Sequence, residues 1–122
     1  MKHGIRTRKL GRIKSQREAL MRSLSRSLIQ NERITTTTAR AKSLRPYVEK
    51  LVTKARENTL ANRRGVKAQL GNDEESTKKL FSELGPRFAN RPGGYTRITK
   101  LAPRKSDASP QAIIEFVEQK EE

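Results

Sequence analysis

From Met1 to Arg17 the chain carries seven lysines or arginines and His3 without a single acid. Like charges along a segment repel one another, so a stretch of this kind cannot collapse on itself and is ordered only against something strongly anionic. Folding is therefore expected to begin at Ser15, where Ser15-Gln16-Arg17-Glu18 reads as a capping box. The Ser15 hydroxyl would accept from the backbone of the third helical residue while Glu18 reaches back to the cap. This divides the chain into an extended basic arm over 1–14, one compact domain over 15–117, and an acidic tail over 118–122 that is expected to be disordered.

The domain has little material for a core. Of 122 residues, 32% are hydrophobic and 34% charged, with three Phe, two Tyr and no Trp. One small, mostly aliphatic core of marginal stability is expected. The net charge of +15 is uneven: Met1 to Ser106 holds 27 basic and 8 acidic residues, whereas Asp107 to Glu122 holds one basic and five acidic. Self-repulsion of this size costs folding free energy, and a bound polyanion removes it. Phosphates suit the role, because Lys and Arg that neutralise them release condensed counterions. Charge alone leaves RNA and DNA both open. A membrane surface fits less well, since no amphipathic segment sets bulky aromatics opposite a basic face. No apolar run approaches the roughly 20 residues that span a bilayer. Without cysteine there is no disulfide, thiolate catalysis or sulfur-ligated zinc.

Periodicity places the elements. After Ser15 a helix runs to about Asn31, with Leu20, Met21, Leu24 and Leu28 on its core stripe and Arg22 and Arg26 on another face. The β-branched run Arg33 to Thr38 reads as a strand, with Thr38 capping a second helix. In that helix Ala41, Leu44, Val48, Leu51, Val52 and Ala55 share a face, and Lys42, Lys50, Lys54 and Arg56 point elsewhere. Pro46 should kink it without ending it. Ala61 to Leu70 forms a shorter helix closed by Gly71-Asn72. Asp73 caps a fourth helix, with Leu80, Phe81 and Leu84 inward and Gly85-Pro86 as its end. Two strands follow, Tyr95 to Leu101 and Ala112 to Val117. The fold class is α/β, an α+β-like small domain: helix, strand, about three helices, then two strands in a small mixed sheet, with the basic arm extended from it.

Catalysis has few residues to use. His3 is the only histidine, so neither a nucleophilic triad nor a histidine metal cluster can form, and it serves better as an RNA or packing contact. Asp73, Glu74 and Glu75 could hold Mg²⁺ in a metal-dependent RNA-processing enzyme, but acids at a helix start also satisfy its cap and dipole. The chain is read as a non-enzyme without cofactor, metal or small-molecule substrate. The turn Pro92-Gly93-Gly94 allows close backbone approach, to the protein's own strand or to a phosphate. With Arg87, Arg91 and Arg97 around it and Tyr95 able to stack or hydrogen-bond, it is a candidate RNA-facing loop. The plainer reading is a solvated loop before a strand. The loop Ala102 to Pro110 adds Arg104 and Lys105. A nucleoid or regulatory DNA-binding protein is the alternative, although no helix-turn-helix, zinc-finger or single-strand-binding signature is present.

Taken in order, the segments MKHGIRTRKLGR, ALMRSL, ERITTTTARAKSLRPYVEKLVTKA, ANRR, LFSELGPRFANRPGGYTRITKL and AIIEFV resemble the bacterial bL17 family of large-subunit ribosomal proteins, across nearly the whole chain. The resemblance implies a compact α/β domain that binds 23S ribosomal RNA near the polypeptide exit region, in the cytoplasm. It also implies neighbouring large-subunit proteins as partners, among them the one numbered thirty-two. The RNA-binding residues expected on this basis are Lys2, His3, Arg6, Arg8, Lys9, Arg12, Lys14 and Arg17 in and beside the arm. Arg22, Arg26, Arg40, Lys42 and Arg45 follow on the first two helices. Arg87, Arg91, Gly93, Gly94, Tyr95, Arg97, Arg104 and Lys105 complete the set.

Overall fold

The computed structural model describes residues 13–103 and 109–117. In chain order the elements are helix α1 (Lys14–Asn31), strand β1 (Arg33–Thr37), helix α2 (Thr38–Ala55), helix α3 (Leu60–Gln69), helix α4 (Glu74–Lys79), strand β2 (Thr96–Leu101) and strand β3 (Gln111–Phe116). Helix α4 continues through a π-helical turn, Leu80–Leu84, into a last α-helical turn, Gly85–Arg87.

Helix α2 is the axis of the core. The stripe read from its sequence is buried as a unit: Ala41, Leu44, Val48, Leu51, Val52 and Ala55. It packs against α1, α3, the π turn and all three strands. Each fully buried Leu or Val contributes about 1.5–3 kcal/mol relative to exposure, so this one face supplies a large part of the stability of a small domain. The helix runs unbroken through Pro46, which is exposed alongside Lys42, the residue whose carbonyl loses its usual donor; water can satisfy it there. Helix α1 contributes Ser25, Leu28 and Ile29 to the buried set. Met21 and Leu24 pack at its margin, while residues near its start are exposed, Ile13 to 65%.

The sheet has the order β1-β3-β2 with both pairs antiparallel. It is therefore not mixed, contrary to the sequence expectation. Strands β1 and β2 point the same way and would have paired in parallel as neighbours, but β3 lies between them and opposes both. Alternation along β3 sends Ala112, Ile114 and Phe116 to the helices, and Gln111, Ile113 and Glu115 to the open face.

Besides shifts of a single residue at several element ends, helix caps and ends differ from expectation in the following ways. Helix α1 begins at Lys14 with Ile13 in the extended cap position and no side-chain cap bond. Ser15 is already helical, so its hydroxyl cannot fill the cap role, and the helix starts two residues earlier than the capping box places it. The cap of α2 is Thr37, which accepts from the Arg40 N–H at 3.3 Å, with Thr38 as the first helical residue. Asp73 stands at the cap of α4, but its Oδ2 accepts from the Ser76 hydroxyl at 2.6 Å instead of a backbone N–H. Gly85-Pro86 does not end the fourth helix. Gly85 is helical and is required for another reason: a Cβ there would lie 2.4 Å from the Ala55 carbonyl oxygen at the end of α2. Backbone cannot rotate aside as a side chain can, so Gly85→Ala is expected to lose about 2–3 kcal/mol, read as a lowered urea midpoint at unchanged slope.

Gly71 and Asn72 do close α3, both at positive φ (69° and 62°), with the Asn72 N–H donating to the Lys67 carbonyl at 2.8 Å.

Candidate nucleic-acid interface

The cations expected to face RNA fall into distinct groups once their partners are known. Lys2, His3, Arg6, Arg8, Lys9, Arg12, Arg104 and Lys105 lie outside the described residues. Arg87 serves the fold. It donates to both oxygens of Glu32, at 2.8 and 3.1 Å, and Lys79 approaches the same carboxylate at 3.2 Å. Glu32 sits at the corner between α1 and β1 with φ of 65°, where its N–H donates to the Leu28 carbonyl and its own carbonyl accepts from Phe116. The Arg87 guanidinium holds the Glu32 carboxyl below its ordinary value, with Lys79 assisting, against the opposing effect of partial burial. A lowered folded-state value means stability that is complete above the ordinary carboxylate value of 4.5 and lost as pH falls through the folded one. Glu32→Gln is expected to melt below wild type at neutral pH, with the gap closing as pH is taken below 4.5.

Several others are similarly engaged. Arg26 donates to the Leu70 carbonyl at 3.0 Å, covering the C-terminal end of α3, where it complements the helix dipole. It lies with Arg22 over the Gly71 turn, 2.8 and 3.4 Å from where a Gly71 Cβ would stand. Arg45 donates to the Thr96 carbonyl at 3.3 Å beside Glu49, which accepts from the Thr96 N–H and hydroxyl. This pair clamps α2 to the free edge of β2. Arg97 and Arg33 flank Glu115 across the open face of the sheet at 2.9 and 3.8 Å. Arg97 remains 57% exposed, so it can still meet an outside group.

The glycine loop has an internal latch: Arg91 Nε donates to the Gly93 and Gly94 carbonyls at 3.2 and 3.1 Å. Both glycines have positive φ, 133° and 64°, and nothing lies within 4 Å of a Cβ at either. The pair is needed for backbone shape and the space above it is open. Tyr95 does not belong to this surface. It is 1% exposed, its ring lies 5.2 Å from Phe88, and its hydroxyl meets Thr53 Oγ1 at 3.1 Å and Arg56 Nη1 at 3.0 Å. A base cannot reach it, because the ring fills the core between α2 and the sheet.

Among the described residues Lys14, Arg40 and Lys42 form no ion pair, and Lys14 and Lys42 are exposed. Arg17 follows Lys14 on the first turn of α1 and is half-buried. Two of the three acids considered for metal are otherwise occupied: Asp73 by Ser76, and Glu74 by Lys67 at 2.6 Å. Among the described residues no group of three or more His, Cys, Asp or Glu is placed to hold a metal ion. Sequence reasoning passed over Arg63, Arg64, Lys67 and Lys78, which line a concavity between α3 and α4. Helical spacing of Arg63 and Lys67 was the available signal.

Fold and surface together define a class: a small α+β domain with one aliphatic core, carboxylates that buttress the fold, and a surplus of outward-facing cations. The family model described as Ribosomal protein L17 matches residues 20–117. Similar proteins include three described as large ribosomal subunit protein bL17. That of Sphingopyxis alaskensis is 54% identical over 97% of this chain and 84% of its own length. That of Erythrobacter litoralis is 50% identical over 100% and 86%, and that of Shouchella clausii 51% identical over 89% and 97%. The chain belongs to the ribosomal protein L17 family, a family of structural proteins and not of enzymes. Among the described residues no helix is long and apolar enough to cross a membrane.

Proposed function

We propose that the chain is a structural constituent of the large ribosomal subunit that binds 23S ribosomal RNA near the polypeptide exit region, supporting subunit assembly and translation in the cytoplasm. Family membership across nearly the whole chain carries this reading. The charge layout supports it. Carboxylates such as Glu32, Glu49 and Glu115 are spent on internal partners, whereas the arm's cations have no acid within their own segment. Affinity then comes from phosphate neutralisation by the arm and by the start of α1, with Lys42, Arg40 and Arg97 adding contacts from the body. The open backbone at Gly93 and Gly94 offers a place for a phosphate to approach. Neighbouring large-subunit proteins, including the one numbered thirty-two, complete the surroundings. Sedimentation of cell extract tests the reading: near-stoichiometric recovery with large subunits at moderate salt is expected, and absence from that fraction rejects it.

A further inference from the structure

Helix α3 turns Arg63, Arg64 and Lys67 to one side, and the run from α4 into the π turn faces them with Glu74, Lys78 and Phe81; together they border a concavity of about 400 Å³. The charge is lopsided. Lys67 holds Glu74 at 2.6 Å, which leaves Arg63, Arg64 and Lys78 exposed and, among the described residues, without an ion pair. The lining is more apolar than polar, and it includes Phe81, which is 8% exposed. The wall that carries Phe81 is π-helical from Leu80 to Leu84, a rare distortion that recurs at functional sites.

We propose that this groove takes a single-stranded segment of ribosomal RNA, one unpaired nucleotide entering the concavity while its flanking phosphates lie on Arg63, Arg64 and Lys78. The inference rests on the ribosomal reading above and adds a contact distinct from the arm and the glycine loop. Cationic rims around an aromatic or apolar floor are how single strands are held without base-specific readout. The volume matches sites for small ligands. Two adjacent guanidinium planes can stack on bases as well as grip phosphates. An acidic peptide would satisfy the charge but would leave the apolar part of the lining and the planar guanidinium faces without a flat partner.

Two measurements on the full chain test it. The triple variant Arg63→Ala, Arg64→Ala, Lys78→Ala is expected to lower the log-log salt slope for a 23S ribosomal RNA transcript by about 2, at about 0.7–0.9 per lost phosphate contact. The thermal midpoint should be unchanged, since the three side chains lie outside the core, and Arg63→Lys with Arg64→Lys should keep the slope. An unchanged slope in the triple variant overturns the groove contact. Absence of salt-dependent binding by the wild-type chain would instead overturn the ribosomal reading itself. In purified large subunits the Lys78 amine should resist acylation relative to the free chain, and ribonuclease should restore its reactivity. An amine that stays reactive in the subunit, or protection that survives ribonuclease and is lost only when other proteins are stripped, overturns RNA as the occupant.

Discussion

Tyr95→Ala is expected to lower the stability of the domain by about 3–5 kcal/mol, the usual range for truncating a fully buried aromatic. For a domain near 100 residues this corresponds to a drop in Tm of roughly 15–25 °C, and to a large share of a total stability of about 5–15 kcal/mol. The ring contacts Phe88, which in turn lies 6.2 Å from Phe116, so one truncation loosens the joint between the π turn, α2 and β3. Tyr95→Phe keeps the ring and removes only the hydroxyl bonds to Thr53 and Arg56, at a cost of about 1–3 kcal/mol. Arg56 retains its bond to the Ala89 carbonyl, and Thr53 is exposed enough to find water. RNA affinity of the folded fraction should be the same for wild type and Tyr95→Phe. A variant with normal Tm and reduced affinity would return Tyr95 to the RNA surface.

Removing residues 1–12 has the opposite signature. It deletes Lys2, Arg6, Arg8, Lys9 and Arg12 and leaves α1 and every core residue in place. If these five cations neutralise phosphates, the salt slope falls by about 4 and affinity near 0.1 M salt drops at least a hundredfold. The thermal midpoint should scarcely move, because the new terminus falls at Ile13 and residues 13–16 are exposed, outside the core. Titration of the truncated chain against 23S ribosomal RNA at several salt concentrations measures it. A slope equal to wild type would mean that the body, and not the arm, carries the phosphate contacts.

What the sequence made legible follows from the range of the forces involved. The stripe of α2 was readable through Pro46 because a 3.6-residue period is a local property and the helix buries one face along its whole length. Gly71-Asn72 was readable for the same reason, since positive φ is imposed by the chain's own sterics. Tyr95 was not. It stands beside two glycines and three arginines, and only Phe88, Thr53 and Arg56, brought in from distant segments, decide that it is interior. Arg87 is the same case: its carboxylate partner Glu32 lies 55 residues away, so composition could show only an exposed cation. The sheet's antiparallel character hangs on β3 inserting between β1 and β2, which no local signal reveals. The Arg63-Arg64 pair gains meaning only when α4 is laid beside α3.

The most direct test of the central claim is photocrosslinking within purified large subunits, with the reactive group placed at Lys9, Lys42 or Arg97 in turn and the joined RNA mapped by primer extension. Crosslinks from all three positions to 23S ribosomal RNA are expected, with the arm position giving the highest yield. Crosslinks confined to protein, or to no component of the large subunit, would contradict that claim.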